Sequence, residues 1–540
     1  MTTNQIVSNR TSHVLLTLLL LQLVTVSAVF GFYEGEAFSP GQPPSNAIVQ
    51  YRGWYHNVNQ LLLHVSNMGL FGDWNLDPTS PSGEWPAGSG VEYLFAAGLW
   101  VGGVIYDEFG RPDTLVSAVV YQLEYYPKPD PRDVIYSASE GEPGGGRLAD
   151  DDSDGKVDED PLDGYDNDDD GLVDEDFAAI SQQMYSMVFY DTSTTMNRSR
   201  TEDLHEPLNL KIRQESYAWT SPSVEDFVGI EYKVTNIGDS TIYKAYIAFM
   251  VDGDIGPVRQ VPQSYTDDMA AYVDTTVIRD EIDASGSAAE VSYHITMGYM
   301  YDHPLVGEDG AVEGYLGVIF LGHTTDPEGE FAPKEVGIHM FKRWSSGEQD
   351  PENDKERYRY MRGESDTEKT IDPPTSRAED YRFLVSAGPF ANIRPGSTLV
   401  FQVAFVCGHP FEDFIANATN AQKVYNGGTM ADESGQQVFV NWLGSSPPPP
   451  PKQQLIAGDG KVVIEWDDYS EITPDPLQGV YDFAGYRIWK AVGWRHESEV
   501  PAADQWQLIA HFYEDGLSAI DTGLLGIGKY RYVDEDVHNG

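Results

Sequence analysis

Val228-Gly229-Ile230-Glu231-Tyr232-Lys233-Val234-Thr235-Asn236 alternates apolar side chains with others. That period of two is what a strand needs when one face is buried and the other meets water. Segments of the same character, rich in Val, Ile, Tyr and Phe and bounded by Gly, Pro, Asp and Asn, recur at 208–219, 243–251, 291–301, 315–321, 337–344, 381–387 and 399–407. They predict antiparallel sheets. The fold class is therefore all-β, as multidomain β-sandwiches with an acidic insert. One helix is expected, over 411–425, where Phe414, Ile415, Ala418, Ala421 and Val424 fall at helical spacing.

At 540 residues the chain exceeds one ordinary core, and roughly two to four domains are expected. Against 34 basic residues stand 86 acidic ones, a formal charge of −52. Nucleic acid is excluded as a partner, because phosphate binding needs clustered Lys and Arg. The single cysteine, Cys407, closes the apolar run 400–407, so it reads as a buried core thiol, and no disulfide can form within the chain. Trp74, Trp85 and Trp100 mark a Gly-rich block over about 47–140. Such rings either fill a sandwich core or stack on sugars.

The insert is residues 148–177, LADDDSDGKVDEDPLDGYDNDDDGLVDEDF, which repeats Asp-x-Asp-x-Asp-Gly-x-Val-Asp-Glu-Asp. The first copy offers Asp150, Asp152, Asp154, Asp158 and Asp160 with the carbonyl of Lys156; the second offers Asp166, Asp168, Asp170, Asp174 and Asp176 with the carbonyl of Leu172. Alternate carboxylates can converge on a hard cation that takes six to eight oxygens, and Gly155 and Gly171 permit the sharp turn, so Ca2+ is the expected cofactor. The twelfth position, a Glu in an EF-hand loop, is Pro161 in one copy and Phe177 in the other. The closing ligand must come from Glu159, Asp160, Asp163, Glu175 or Asp176. The segment resembles the thrombospondin type 3 and dockerin-like calcium repeats of secreted proteins. No helical pattern flanks either loop, so a structural role is expected in place of a helix-opening switch.

Arg10 and His13 precede the apolar run 14–26, which ends in a small-residue pattern at Ser27 and Ala28. Residues 1–28 are read as a secretory signal peptide, since the run falls short of the ~20 residues of a spanning helix. No later stretch is long enough to span. A secreted chain without disulfides suits a bacterial surface, where calcium is abundant.

Residues 29–147 are read as an N-terminal β-region, 178–445 as a sandwich region, and 446–452, with its run of five prolines from Pro447 to Pro451, as a stiff linker. Within the sandwich region, Thr235-Asn236-Ile237-Gly238-Asp239-Ser240 resembles the hairpin of immunoglobulin-like repeats. Beyond the linker, Gly460-Lys461-Val462-Val463-Ile464-Glu465-Trp466-Asp467 and Gly485-Tyr486-Arg487-Ile488-Trp489-Lys490 resemble the second and third strands of a fibronectin type III domain. That resemblance implies a module over 453–540, with strands at 461–467, 486–492, 506–512 and 530–533, and a further Tyr-x-Tyr-x-Val strand that would follow Gly540.

Catalytic signatures are not seen. There is no His-Glu-x-x-His, Gly-x-Ser-x-Gly, phosphate loop or dinucleotide fingerprint, and the histidines share no ligand spacing. The expected function is that of a non-catalytic, secreted or surface-attached structural or adhesive protein stabilised by calcium. Its partners would be cell-surface or matrix components, including glycans. The rival is a carbohydrate-binding protein or glycoside hydrolase built on the Trp-rich block, because two carboxylates are all a glycosidase needs.

Overall fold

The structure is a computed structural model. It describes residues 52–73, 80–120, 124–128, 134–139, 146–150, 154–167, 171–194, 205–259, 261, 263–282, 288–303, 312–348, 350–432, 434, 436–445, 451, 453–458, 461–472, 483, 485–491, 506–513 and 530–534. The signal-peptide segment, Trp74 and most of the proline run lie outside them. Strands hold 47% and helices 9%, so the chain is all-β.

It divides into two units, the first within Pro43–Gly444. Its elements are β1 (Gly53–Tyr55), β2 (Leu62–Ser66), β3 (Gly83–Glu84), β4 (Ala96–Tyr106), β5 (Pro112–Ala118), β6 (Ile135–Ala138), β7 (Gln183–Asp191), β8 (Leu210–Ala218), β9 (Phe227–Asn236) and β10 (Ile242–Asp252). They continue with β11 (Asp268–Ile282), β12 (Ala288–Asp302), β13 (Tyr315–His323), β14 (Met340–Ser345), α1 (Asp354–Arg362), β15 (Thr370–Ile371), β16 (Tyr381–Ile393), β17 (Thr398–Gly408), α2 (Phe411–Asn426), β18 (Gly428–Ala431) and β19 (Gln437–Val440). Two sheets form the sandwich, in spatial order β15-β14-β16-β10-β4-β5 and β11-β12-β13-β17-β9-β8-β7-β6. β4 lies beside β10, so strands from before and after the acidic insert share one sheet.

The two inner faces meet in a single apolar core. Phe249 of one sheet stands 5.4 Å from Phe405 of the other, centroid to centroid, and Phe71 lies against both. Cys407 is fully buried in this core, and burial pushes its thiol well above the ordinary value. Trp85 and Trp100 are buried too, which takes both rings out of reach of a sugar. β9 shows the expected alternation only in its second half. In the first half Trp442 covers the outer face, and a Cβ on Gly229 would stand 2.4 Å from that ring.

Two expectations need correction. The 235–240 segment is no hairpin, because β9 pairs with β17 and β8 while β10 pairs with β16 and β4. The turn instead carries the chain from one sheet to the other, held by the Asn236 amide donating to Ser240 O and Ile393 O, each at 2.8 Å. The second difference is α1. Its sequence, DKERYRYMR, is mostly charged, yet Asn353 caps it by accepting from the Glu356 N–H, and Tyr358 and Met361 bury one stripe.

The second unit holds the described residues from Ser445 on. β20 (Gln453–Gly458), β21 (Lys461–Trp466) and β24 (Tyr530–Asp534) form one sheet, and β22 (Gly485–Ala491) pairs with β23 (Trp506–Tyr513). Trp466 is its buried centre, packed by Phe483, Tyr486, Ile488 and Phe512.

Candidate calcium loops

The insert between β6 and β7 is anchored at several points. Leu148 packs with Val440 and Leu443, while Leu162 and Phe177 pack with Ala138 and Ala179. Arg147 donates to the carbonyls of Asn441 and Trp442. On β8 the buried Arg213 pairs with Glu215 at 2.7 Å and faces Asp163 at 4.0 Å.

Between these anchors the described residues of the two copies follow the same pattern. Gly155 and Gly171 have φ of +94° and +100°, a region that favours glycine. Each donates its N–H to the first aspartate of its own copy, Gly155 to Asp150 at 3.1 Å and Gly171 to Asp166 at 2.9 Å. Asp158 and Asp174 both have φ of 54°. The Asp158 carboxylate accepts from the Leu148 N–H at 3.0 Å, and that of Asp174 accepts from the equivalent Gly164 N–H at 2.9 Å. Burial raises the Asp174 pKa, opposed by the N–H groups of Gly164 and Asp163 that donate to it.

The copies then exchange their last acids. Asp160 accepts from the N–H groups of Asn167 and Asp174 in the second copy, and Asp176 accepts from the Asp158 N–H in the first. Both are buried. Of the other closing candidates, Glu159 receives the Lys156 ammonium at 3.2 Å and Asp163 accepts from the Tyr165 N–H. In the first copy Asp150 Oδ1 and Glu159 Oε2 are buried and accept no hydrogen bond, which suits oxygens facing a cation. Lys156 also reaches Asp154, and that hydrogen bond holds the Asp154 carboxyl below its ordinary value. Asp152, Asp168 and Asp170 lie outside the described residues.

Among the described residues, the repeats do not bring three carboxylates to one point; Asp252, Asp254 and Asp380 do. Sequence reading passed over them. The signal was Asp-Gly-Asp at a strand exit, but its third member lies far along the chain.

A serine, an aspartate and a histidine also meet inside the first unit. Ser117, however, donates to Asp191 and not to His205, and all three are buried, so the trio is a clamp and not a nucleophile. His205 lies 2.7 Å from Asp191 and 3.5 Å from Glu124. Burial alone would lower the His205 pKa, but the Asp191 hydrogen bond and the charges of Glu124, Asp191 and Asp354 hold it above its ordinary value. Burial pushes Glu124 up to about 7, against the opposing pull of His205 and Arg357. Both folded-state values are raised, so both contributions to stability are present at low pH; that of Glu124 is lost as pH rises through about 7, and that of His205 as pH rises above the ordinary histidine value. We expect melting temperature in chelator to fall between pH 5 and 8. Glu124→Gln should flatten this slope by on the order of 3 kcal/mol, because it removes the Glu124 shift from 4.5 to about 7. An unchanged slope in the variant would refute the assignment.

These features define the class as an all-β sandwich protein with a paired acidic loop. No protein-family model matches the chain, and no curated protein matches it. No helix among the described residues is long and apolar enough to cross a membrane.

Proposed function

We propose that the chain is a non-catalytic, secreted or surface-attached structural or adhesive protein whose acidic insert is ordered by calcium. The observation that carries this reading is the equivalence of the two loops, which share backbone signs, glycine-to-aspartate bonds and an exchange of closing acids. Calcium would be held by Asp150, Asp154 and Asp158 in one copy and Asp166 and Asp174 in the other, with Asp160 and Asp176 closing the pair. Asp152, Asp168 and Asp170 complete the expected sets, with the carbonyls of Lys156 and Leu172. The likeness to thrombospondin type 3 and dockerin-like repeats is part of the proposal, as is a fibronectin type III-like module over 453–540. The separation of β20-β21-β24 from β22-β23 supports that module.

A glycan array, run with calcium and with chelator, tests the non-catalytic reading. No saturable binding to a defined sugar and no released sugar are expected, because Trp85 and Trp100 are core residues. Specific binding or hydrolysis would overturn it in favour of a carbohydrate-active protein.

A further inference from the structure

One end of the sandwich gathers acids from both sheets. From the six-stranded sheet come Asp252, the last residue of β10, then Asp254 just beyond it, and Asp380 just before β16. Facing them from the eight-stranded sheet are Asp267, Asp268 at the start of β11, and Asp302 at the end of β12, where Asp268 and Asp302 are paired in register. Carboxylate oxygens of Asp252, Asp254 and Asp380 all lie within 4.8 Å of one another. Like charges at that spacing repel strongly once shielded from water.

The Arg382 guanidinium stands on the side of the six-stranded sheet. Arg382 pairs with Asp252 at 3.4 Å, Asp380 at 3.5 Å and Asp350 at 3.8 Å. Asp268 lies outside the converging trio. It is wholly buried; its Oδ2 accepts from the Ile255 N–H at 3.2 Å, beside Asp254, and its Oδ1 accepts nothing. The charges acting on it are those of Asp254, Asp302 and Asp267. Asp380 likewise keeps a buried Oδ1 without a donor. A buried carboxylate oxygen with no donor is costly and calls for a counter-charge.

We propose that this seam is a second site for a hard divalent cation of the calcium class, with Asp252, Asp254 and Asp380 as ligands and Asp268 facing it from the other sheet. An all-oxygen donor set excludes the softer transition metals as preferred occupants. Calcium also tolerates the irregular geometry of ligands drawn from separate strands. An ion here clips the open end of the two sheets together. This site shares no ligand with the acidic repeats, so either proposal can fail alone.

The test is terbium luminescence on the full chain, excited through tryptophan, with calcium as competitor. Trp344 is the local antenna: its indole N–H donates to Asp350 at 2.8 Å, and it pairs with Arg382 across β14 and β16. Asp150→Asn with Asp166→Asn, which disarms the repeats, should leave a sensitised signal that calcium displaces. Adding Asp254→Asn and Asp380→Asn should weaken that remaining binding at least tenfold. If the double seam variant does not fold, Asp380→Asn alone on the repeat-disarmed chain should weaken binding in the same direction. The proposal is overturned if the repeat-disarmed chain gives no calcium-displaceable signal, or if the seam variants bind terbium as well as their parent. It is also overturned if Asp254→Asn with Asp380→Asn raises melting temperature equally in calcium and chelator, for protons would then be the counter-charge.

Discussion

Asp160→Ala with Asp176→Ala is expected to be cleaved near residue 160 at the same rapid rate in calcium and in chelator. Both side chains are buried; Asp160 accepts two backbone N–H groups of the opposite copy and Asp176 accepts one, and under the proposed function each also closes that copy's oxygen set. Alanine removes the acceptor of these part-buried N–H groups, a loss of about 0.5 to 1.5 kcal/mol for each bond. The variant's thermal stability should therefore fall even without calcium, and added calcium should not restore it. Asn at both positions is the informative control. It keeps one acceptor oxygen at each position but sets an amide NH2 against the second N–H that Asp160 accepts, and it removes charge, so the chelator-state stability should return in part while the calcium response stays lost. A variant that still gains stability in calcium to the same extent as its parent would show that these acids do not close the loops.

Phe249→Ala is expected to cost about 3 to 5 kcal/mol, the usual range for truncating a buried aromatic. Phe249 is fully buried on β10, with Phe71, Tyr232 and Phe405 all at ring-contact distance. Tyr232 and Phe405 belong to the opposite sheet, so the cavity opens in the interface that joins the two layers. Denaturant unfolding of the first unit should shift its midpoint and keep one transition, because both sheets share that core. A loss below about 1 kcal/mol, or separate transitions for the two sheets, would contradict a single sandwich core.

The strands legible in the sequence were those that bury a face. Those predicted at 243–251, 315–321 and 399–407 became β10, β13 and β17, each within two residues of the expected ends, and the helix over 411–425 became α2. β11 was not legible. It is the edge of its sheet, and Asp274, Arg279, Asp280 and Glu281 give it the charged character by which edges avoid further pairing. Helix α1 hid its stripe of Tyr358 and Met361 among charges for the same reason, that its solvent face outweighs its buried one.

The candidate site was half legible. Gly155 and Gly171 adopt the positive φ that the repeat requires. The exchange of Asp160 and Asp176 was not legible, because spacing within one loop cannot show which loop an acid will serve. That choice is made by docking: Leu148, Leu162, Phe177 and Asp163 fix the insert against the sandwich and so bring the copies together. Asp252, Asp254 and Asp380 illustrate the same limit at longer range. Strand pairing of β10 with β16 joins positions that sequence separates widely.

Limited proteolysis of the full chain, followed by mapping of cuts within 148–177, tests the central claim most directly. The acids of this segment repel one another in chelator, and a divalent cation bound to the folded loops removes that repulsion. Protection should grow with calcium concentration as RT ln(1 + [Ca]/Kd), over a range of about 0.1 to 1 mM typical of extracellular modules. The account predicts rapid cutting near residue 160 in chelator and protection in millimolar calcium that equal ionic strength of sodium does not reproduce. Equal cutting in calcium and chelator would contradict it.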